Sequence, residues 1–194
     1  PICGGLRDGR AMTMGGREVK LARHGFARKQ EWKLEKQSDN MVALSLSSAD
    51  HAELLEQYPY PFKIVARYTI DSEKVAVSYE VTNEGIEDMP FFVGGHPGFK
   101  CPLDEGESYD DYELRFDQRE ATELCTAVPS TGLIDVEHRS KNPMVGHDLP
   151  LTHELFDFAE TIFDVLESHV VTLTKKTEDK GVRLTFPDMP YLIV

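Results

Sequence analysis

Apolar and polar residues alternate along much of the chain. In two neighbouring segments every second residue is apolar, at Ile64, Ala66, Tyr68, Ile70, Val75, Val77, Tyr79 and Val81. Because successive side chains of a β-strand point to opposite faces of a sheet, this pattern predicts two half-buried strands. The polar residues 71–73 join them.

The same alternation recurs in shorter segments, at residues 42–46, 112–116, 170–173 and 182–186. The last two are separated by polar residues that end in Gly181, as is typical of a hairpin loop. Many strands with little helical signal predict an all-β fold, a large antiparallel β-sandwich.

One short helix is expected after the first of these shorter segments. Its apolar positions are Ala52, Leu54, Leu55 and Tyr58. Ser47 or Ser48 could cap its start, and Pro59 would end it. No repeat, linker or change in composition divides the chain, so residues 1–194 are expected to form a single domain.

Composition and charge narrow the classes of partner. The chain has 194 residues with 34 acidic and 21 basic side chains, a net charge of −13. This acidic balance argues against non-specific nucleic-acid binding, which requires a basic face. The longest apolar runs, such as residues 89–93, fall far short of the ~18 residues that a membrane-spanning helix needs.

Three widely spaced cysteines, Cys3, Cys101 and Cys125, predict neither a disulfide framework nor a metal-ligand pair. A reducing, cytoplasmic location is therefore expected. The acidic segment 101–111 lacks the ligand spacing of a calcium loop and is interpreted as a solvated connection. We expect no metal and no cofactor.

Basic charge is concentrated near the start of the chain. Residues 1–30 carry seven basic side chains against two acidic ones. This region is either a solvated basic surface on an acidic body or a site for an anionic or hydroxyl-rich ligand.

No nucleophile elbow, phosphate-binding loop or zinc-protease motif occurs in the sequence, but two segments could carry chemistry. The first contains His24, Phe26 and Arg28. If this segment is extended, the three side chains share one face, which would suit a polyhydroxylated ring. The alternative is that Phe26 is a core residue and that Arg28 pairs with a carboxylate.

The second segment, residues 89–99, contains His96 between Gly94-Gly95 and Pro97-Gly98. The small neighbours would let a ligand approach the imidazole closely. Histidine ordinarily titrates at about pH 6.5, so it is suited to donate or accept a proton near neutral pH. A structural role for His96 is the alternative. The other five histidines are expected at the surface: His51, His138, His147, His153 and His169.

The order and spacing of several motifs resemble the aldose 1-epimerase (galactose mutarotase) family, and its LacX-like branch in particular. The motifs are Pro1-Ile2-Cys3-Gly4, His24-Gly25-Phe26-Ala27-Arg28, Tyr60-Pro61-Phe62, Val81-Thr82-Asn83, Gly95-His96-Pro97-Gly98-Phe99 and Phe186-Pro187. The resemblance implies a galactose mutarotase-like supersandwich that binds a hexose in a cleft on one sheet. The implied activity is interconversion of the α and β anomers of the sugar.

The resemblance also implies roles for individual residues. His96 corresponds to the general acid, and His24 and Arg28 correspond to sugar-contacting groups. The family's substrate-binding aspartate would fall at Ala159, with Asp157 and Glu160 as possible replacements.

The family's general base is a glutamate in a Glu-Pro-Trp-like segment, expected beyond Val194. The chain is therefore expected to be truncated at its C-terminus and nearly inactive by itself. The missing initiator methionine also suggests a trimmed chain. A non-catalytic carbohydrate-binding protein and a hexose-6-phosphate mutarotase are the alternative functions. The sequence does not define the oligomeric state.

Overall fold

A computed structural model describes residues 5–157 and 160–194. The fold is all-β, and every strand pair in it is antiparallel, as the alternating pattern predicts. The chain divides into two compact units, one ending at His96 and the other beginning at Pro97. The single domain expected for residues 1–194 stays a prediction.

The first unit contains a two-stranded ribbon and a four-stranded sheet. The ribbon consists of β1 (Arg10–Met12) and β2 (Glu18–Lys20). The sheet has the order β3 (Lys33–Ser38), β4 (Met41–Ser47), β5 (Phe62–Asp71) and β6 (Lys74–Asn83). The two strands predicted around residues 71–73 are β5 and β6, paired with Tyr68 opposite Val77.

The predicted short helix is a 3₁₀ helix, Ala52–Glu56, and neither serine caps it. Ser48 instead exchanges hydrogen bonds with the backbone of Phe62, and the Ser47 hydroxyl accepts from the Ala49 amide. Both serines are therefore engaged in the turn that follows β4. Two further 3₁₀ helices of this unit span Arg7–Gly9 and Ala27–Lys29.

Apolar side chains from β2, β4, β5, the 3₁₀ helix Ala52–Glu56 and the loop between that helix and β5 form the core of the first unit. The buried members are Val19, Leu46, Leu54, Tyr58, Tyr60 and Phe62. Partly buried Phe26, Trp32 and Met89 pack against them. Phe26 belongs to the segment that contains His24, and Met89 belongs to the segment that contains His96. The core of the first unit therefore packs against both candidate segments.

The second unit contains two four-stranded sheets. The first has the order β10 (Asp148–Pro150), β7 (Tyr112–Phe116), β12 (Val170–Lys175) and β13 (Gly181–Thr185). The second has the order β14 (Leu192–Ile193), β11 (Thr161–Phe163), β8 (Leu124–Ala127) and β9 (Ile134–Ser140). The 3₁₀ helices Tyr109–Asp111 and His153–Phe156 also lie in this unit.

The two sheets of the second unit pack face to face. Phe116 and Val171 from one sheet and Leu124 and Phe163 from the other belong to one buried cluster. The rings of Phe116 and Phe163 lie 5.0 Å apart between centroids. This unit is therefore a β-sandwich, and the predicted hairpin is β12–β13, with Leu173 opposite Val182.

The acidic segment 101–111 is held to the first sheet of this unit rather than simply solvated. The Glu107 carboxylate accepts hydrogen bonds from Lys175 Nζ at 2.6 Å and from the hydroxyl of Tyr112. Lys175 and Tyr112 therefore lower the pKa of Glu107. Opposite charge on β12, which a local sequence pattern does not reveal, fixes this segment.

Cys101 and Cys125 are free thiols, and Cys3 lies outside the described residues. None of the helices in the described part of the chain is both long enough and apolar enough to span a membrane.

Candidate functional site

The segment that carries His24 is a tight turn, so the expectation of an extended segment is wrong. His24 and Gly25 both have φ of 67°, and the Gly25 amide donates to the Ala22 carbonyl at 2.9 Å. Arg28 then lies on the 3₁₀ helix Ala27–Lys29. Because this turn and the short helix interrupt the extended backbone, His24, Phe26 and Arg28 do not follow the alternation of a strand.

Phe26 is a core residue, as the alternative interpretation held. Its ring centroid lies 5.5 Å from that of Phe62 and 6.1 Å from that of Tyr58. The Trp32 indole donates to the Ala27 carbonyl at 2.9 Å, which fixes the start of the short helix. The aromatic core therefore holds the turn in place from one side.

Arg28 is exposed, and no carboxylate within residues 5–157 and 160–194 forms an ion pair with it. The second part of the alternative, a carboxylate partner for Arg28, is thus not found in the described chain. The planar guanidinium can donate several hydrogen bonds at once, a property suited to hydroxyl groups or to an anion.

His96 lies in the irregular segment that follows β6, and its side chain is exposed. Core residues anchor the beginning of this segment. The Tyr58 hydroxyl donates to the Pro90 carbonyl at 2.7 Å, and Met89 packs against the core. Burial, with a contribution from Tyr60, raises the pKa of Tyr58 to about 12, so this hydroxyl is a neutral donor at physiological pH.

The fold brings His24 and His96 together. Their ring centroids lie 5.9 Å apart, and the ring planes meet at 73° in an edge-to-face arrangement. Two imidazoles from distant parts of the sequence are thus neighbours on the first unit. Each ring can donate or accept a hydrogen bond, so together they can contact more than one oxygen of a polyhydroxylated ligand.

A salt bridge that sequence reasoning missed holds the loop between β6 and His96. Arg17 donates from Nε and Nη2 to the Glu87 carboxylate at 2.7 and 2.5 Å. The side chain of Asn83 donates to the Glu87 carbonyl at 2.8 Å. The ion pair raises the pKa of Arg17 and lowers that of Glu87. The separation of 70 residues explains why no local signal indicated it.

Ion pairs also engage basic side chains near the start of the chain. Glu18 pairs with Lys20 at 3.1 Å and with Arg10 at 3.2 Å, and these contacts lower the pKa of Glu18. Arg17 is occupied by Glu87. Three of the seven basic side chains in this stretch are therefore held in ion pairs, and Arg28 is an exposed cation close in sequence to His24.

The region of the expected substrate-binding aspartate is described only in part. Asp157 is exposed directly after the 3₁₀ helix His153–Phe156, and Glu160 directly precedes β11. Ala159 lies outside the described residues. A role for Asp157 or Glu160 in sugar binding stays a prediction.

Among the remaining histidines, His51 differs from the expected surface position. Its side chain is only 20% exposed, and Nε2 lies 3.0 Å from the Glu31 carbonyl oxygen. His153 is exposed, and its ring stacks on that of Tyr109 with 4.9 Å between the ring centroids. His138, His147 and His169 are exposed as expected.

Comparison with known proteins identifies the type of molecule. Residues 7–192 match the family model described as aldose 1-epimerase. The plasmid and chromosomal LacX proteins of Lactococcus lactis subsp. lactis are each 37% identical to the chain over 199 residues. The alignments cover all of this chain and 66% of each LacX protein.

Solved structures of galactose mutarotase-like proteins have a similar fold. A galactose mutarotase-like protein from Lactobacillus casei ATCC 334 is 27% identical, with a TM-score of 0.85 over all of this chain and 65% of its own length. A galactose mutarotase related enzyme from Lactobacillus acidophilus is 26% identical, with a TM-score of 0.83 over all of this chain and 63% of its own. The fold is thus a galactose mutarotase-like β-sandwich. The chain belongs to the aldose 1-epimerase family.

The chain spans just under two thirds of the length of these relatives. The family resemblance and the all-β antiparallel fold class predicted from the sequence are both confirmed.

Proposed function

We propose that the whole protein is an aldose 1-epimerase that interconverts the α and β anomers of a hexose. The observation that carries the proposal is the contact between His24 and His96 in a chain of this family. The proposal includes a cytoplasmic location, a small sugar as the partner, and no cofactor.

In the proposed reaction, protonated His96 donates its proton to the ring oxygen of the sugar while a base removes the proton of the C1 hydroxyl. The C1–O5 bond breaks, its electron pair stays on the protonated ring oxygen, and the electron pair left on O1 forms the C1 carbonyl. Rotation about C1–C2 and the reverse steps close the ring on the other face. One proton is given and one is taken, so the reaction needs no oxidant or reductant.

His24 and Arg28 are proposed to orient the sugar. His24 lies in ring contact with His96, close enough for both imidazoles to bind one ligand. Arg28, exposed on the following 3₁₀ helix, is proposed to donate hydrogen bonds to ring hydroxyls.

The base is proposed to be the glutamate that the family resemblance predicts beyond Val194. Loss of one general acid or base costs typically ~10²- to 10⁴-fold in rate, so the 194-residue chain is proposed to be nearly inactive. Adding the predicted segment should restore activity, and a chain extended in this way that stays inactive would contradict the assignment of the base.

Polarimetry of freshly dissolved α-glucose or α-galactose tests the role of His96 in the longer protein. We expect the wild type to accelerate the decay of optical rotation and His96→Asn to lose most of the acceleration. His147→Asn, which changes an exposed histidine in the other unit, is the matched control and should retain it. An unchanged rate in His96→Asn would exclude His96 as the acid.

A carbohydrate-binding protein without catalysis is the second candidate. The exposed Arg28, which forms no ion pair with the described part of the chain, favours it as much as it favours an enzyme. This candidate predicts thermal stabilisation by sugar without anomer exchange. Hexose 6-phosphate as substrate is less well supported, because internal ion pairs occupy Arg10, Arg17 and Lys20. A preference for glucose 6-phosphate over glucose in the same polarimetric assay would instead favour the hexose 6-phosphate as the substrate.

A further inference from the structure

We propose that Tyr58 is a positioning residue that sets the separation of the His24 and His96 imidazoles. Its kinetic consequence rests on the proposed function, but its structural consequence does not. Tyr58 acts through the two segments that carry the imidazoles, by contacts with Phe26 and with Pro90.

The side chain of Tyr58 is well fixed. It is 8% exposed, and its amide donates to the Leu54 carbonyl at 2.8 Å directly after the 3₁₀ helix Ala52–Glu56. The Tyr60 amide donates to the Tyr58 carbonyl at 2.8 Å. Rings of Tyr60 and Phe62 lie at 5.2 and 5.8 Å from its own ring. A buried aromatic ring held from several directions is a rigid reference point.

Tyr58 contacts both histidine-bearing segments. Its ring lies 6.1 Å from that of Phe26, which follows the His24 turn by two residues. Its hydroxyl donates to the carbonyl of Pro90, six residues before His96. One side chain therefore connects the turn with the irregular segment across the aromatic core.

The hydroxyl matters because residues 88–96 pair with no strand among the residues that the structure describes. With the Pro90 carbonyl held, only residues 91–95 remain between the anchor and His96. Gly94 and Gly95 allow this remainder a wide choice of backbone angles. Release of Pro90 would lengthen the free part of the segment and let His96 move away from His24.

Tyr58→Phe tests the proposal because it keeps the ring and removes only the hydroxyl. Tyr60→Phe is the matched control. Tyr60 lies in the same cluster, is 3% exposed, and donates its hydroxyl to Thr13 Oγ1 at 2.8 Å rather than to a histidine-bearing segment. Melting curves and circular dichroism establish that both variants are folded.

The first readout is structural and needs no activity. Imidazole resonances of the 194-residue chain are recorded by NMR with and without His24→Asn. Because the rings are in contact, His24→Asn should shift the His96 signals. We expect this shift to be clearly smaller in the Tyr58→Phe background and unchanged in the Tyr60→Phe background. An undiminished shift in Tyr58→Phe, or equal losses in both backgrounds, would overturn the proposal.

The second readout is kinetic and uses the longer protein. A misplaced catalytic group lowers the rate more than it lowers binding, so Tyr58→Phe should reduce kcat by about tenfold with little change in KM. Tyr60→Phe should keep kcat. A wild type without mutarotase activity would refute the proposed function, and the NMR experiment would still decide the role of Tyr58. A wild-type kcat in Tyr58→Phe would refute its role in positioning.

Discussion

The imidazole of His96 meets that of His24 edge to face, with 5.9 Å between the ring centroids. Residues that bind one ligand together do not contribute independently, because removing either one misplaces what the other holds. This contact therefore makes a quantitative prediction about combined substitutions.

A double-mutant cycle in the longer protein tests this coupling. We expect His24→Asn to lower kcat/KM by roughly tenfold in the wild type but by much less in a His96→Asn background. The pair His147→Asn and His96→Asn should be additive, because His147 is an exposed histidine without a role in the proposed reaction. Additivity of the His24 and His96 substitutions would show that the two imidazoles act separately.

A second prediction concerns acid stability through Asp164 and Arg139. Arg139 donates to both carboxylate oxygens of Asp164, at 2.9 and 2.6 Å, and this holds the pKa of Asp164 below its usual range. A lowered folded-state pKa gives stability that is present above the unfolded-state pKa and lost as pH falls through the folded-state value.

Asp164→Asn should therefore cost about 1 kcal/mol at pH 7, a figure already discounted for solvent screening. The difference from wild type should shrink as the pH falls below about 4. Urea unfolding across this range measures it. Asp179→Asn is the control, because the Asp179 side chain is fully exposed where it pairs with Arg115. A difference that stays constant from pH 7 to pH 3 would contradict the assignment.

A third prediction concerns alkaline stability through Tyr58. Burial, followed by Tyr60, raises the pKa of Tyr58 to about 12, against about 10 for an unfolded tyrosine. The unfolded chain thus loses this proton first, and stability present below pH ~10 is lost as the pH rises towards 12. Tyr58→Phe should lose less stability over this interval than the wild type.

The measurement combines tyrosinate absorbance with urea unfolding at several alkaline pH values. Tyr191→Phe, which changes a tyrosine that is 62% exposed, should leave the alkaline loss as in the wild type. Identical alkaline profiles for Tyr58→Phe and the wild type would show that Tyr58 titrates as an exposed tyrosine.

A fourth prediction concerns the core of the first unit. Leu54 is fully buried, although it lies in a 3₁₀ helix of only five residues. Leu54→Ala should cost about 2–5 kcal/mol because a cavity remains after the lost transfer free energy. Leu34→Ala, at a position that is 59% exposed, should cost far less. Equal losses in chemical denaturation would place Leu54 outside the core.

The strands could be predicted from the sequence because alternation is a local property of a half-buried sheet. Residues 112–116 coincide with β7, and the segments around residues 71–73 coincide with β5 and β6. The sequence predicts the position of the 3₁₀ helix Ala52–Glu56 correctly, but its predicted serine cap is wrong, because Ser48 hydrogen-bonds with the backbone of Phe62. Contacts made across the fold decide such details.

In the candidate site, too, residues with a local sequence signal could be predicted, but contacts between distant residues could not. Family motifs identify His24, Arg28 and His96 as residues of interest, but no pattern predicts that two of them touch. The turn at His24 was missed because a left-handed histidine is uncommon, and Gly25 was the only local indication. Arg17–Glu87 and Tyr58–Pro90 join residues that are 70 and 32 positions apart.

The left-handed backbone of His24, with φ of 67°, also determines which substitutions there can be interpreted. Asparagine and glycine adopt this conformation readily, while valine or isoleucine would strain the chain through the branch at Cβ. A substitution at position 24 can therefore lower activity by straining the backbone or by removing the imidazole. Asparagine removes the imidazole and tolerates the backbone conformation, so it is the informative replacement.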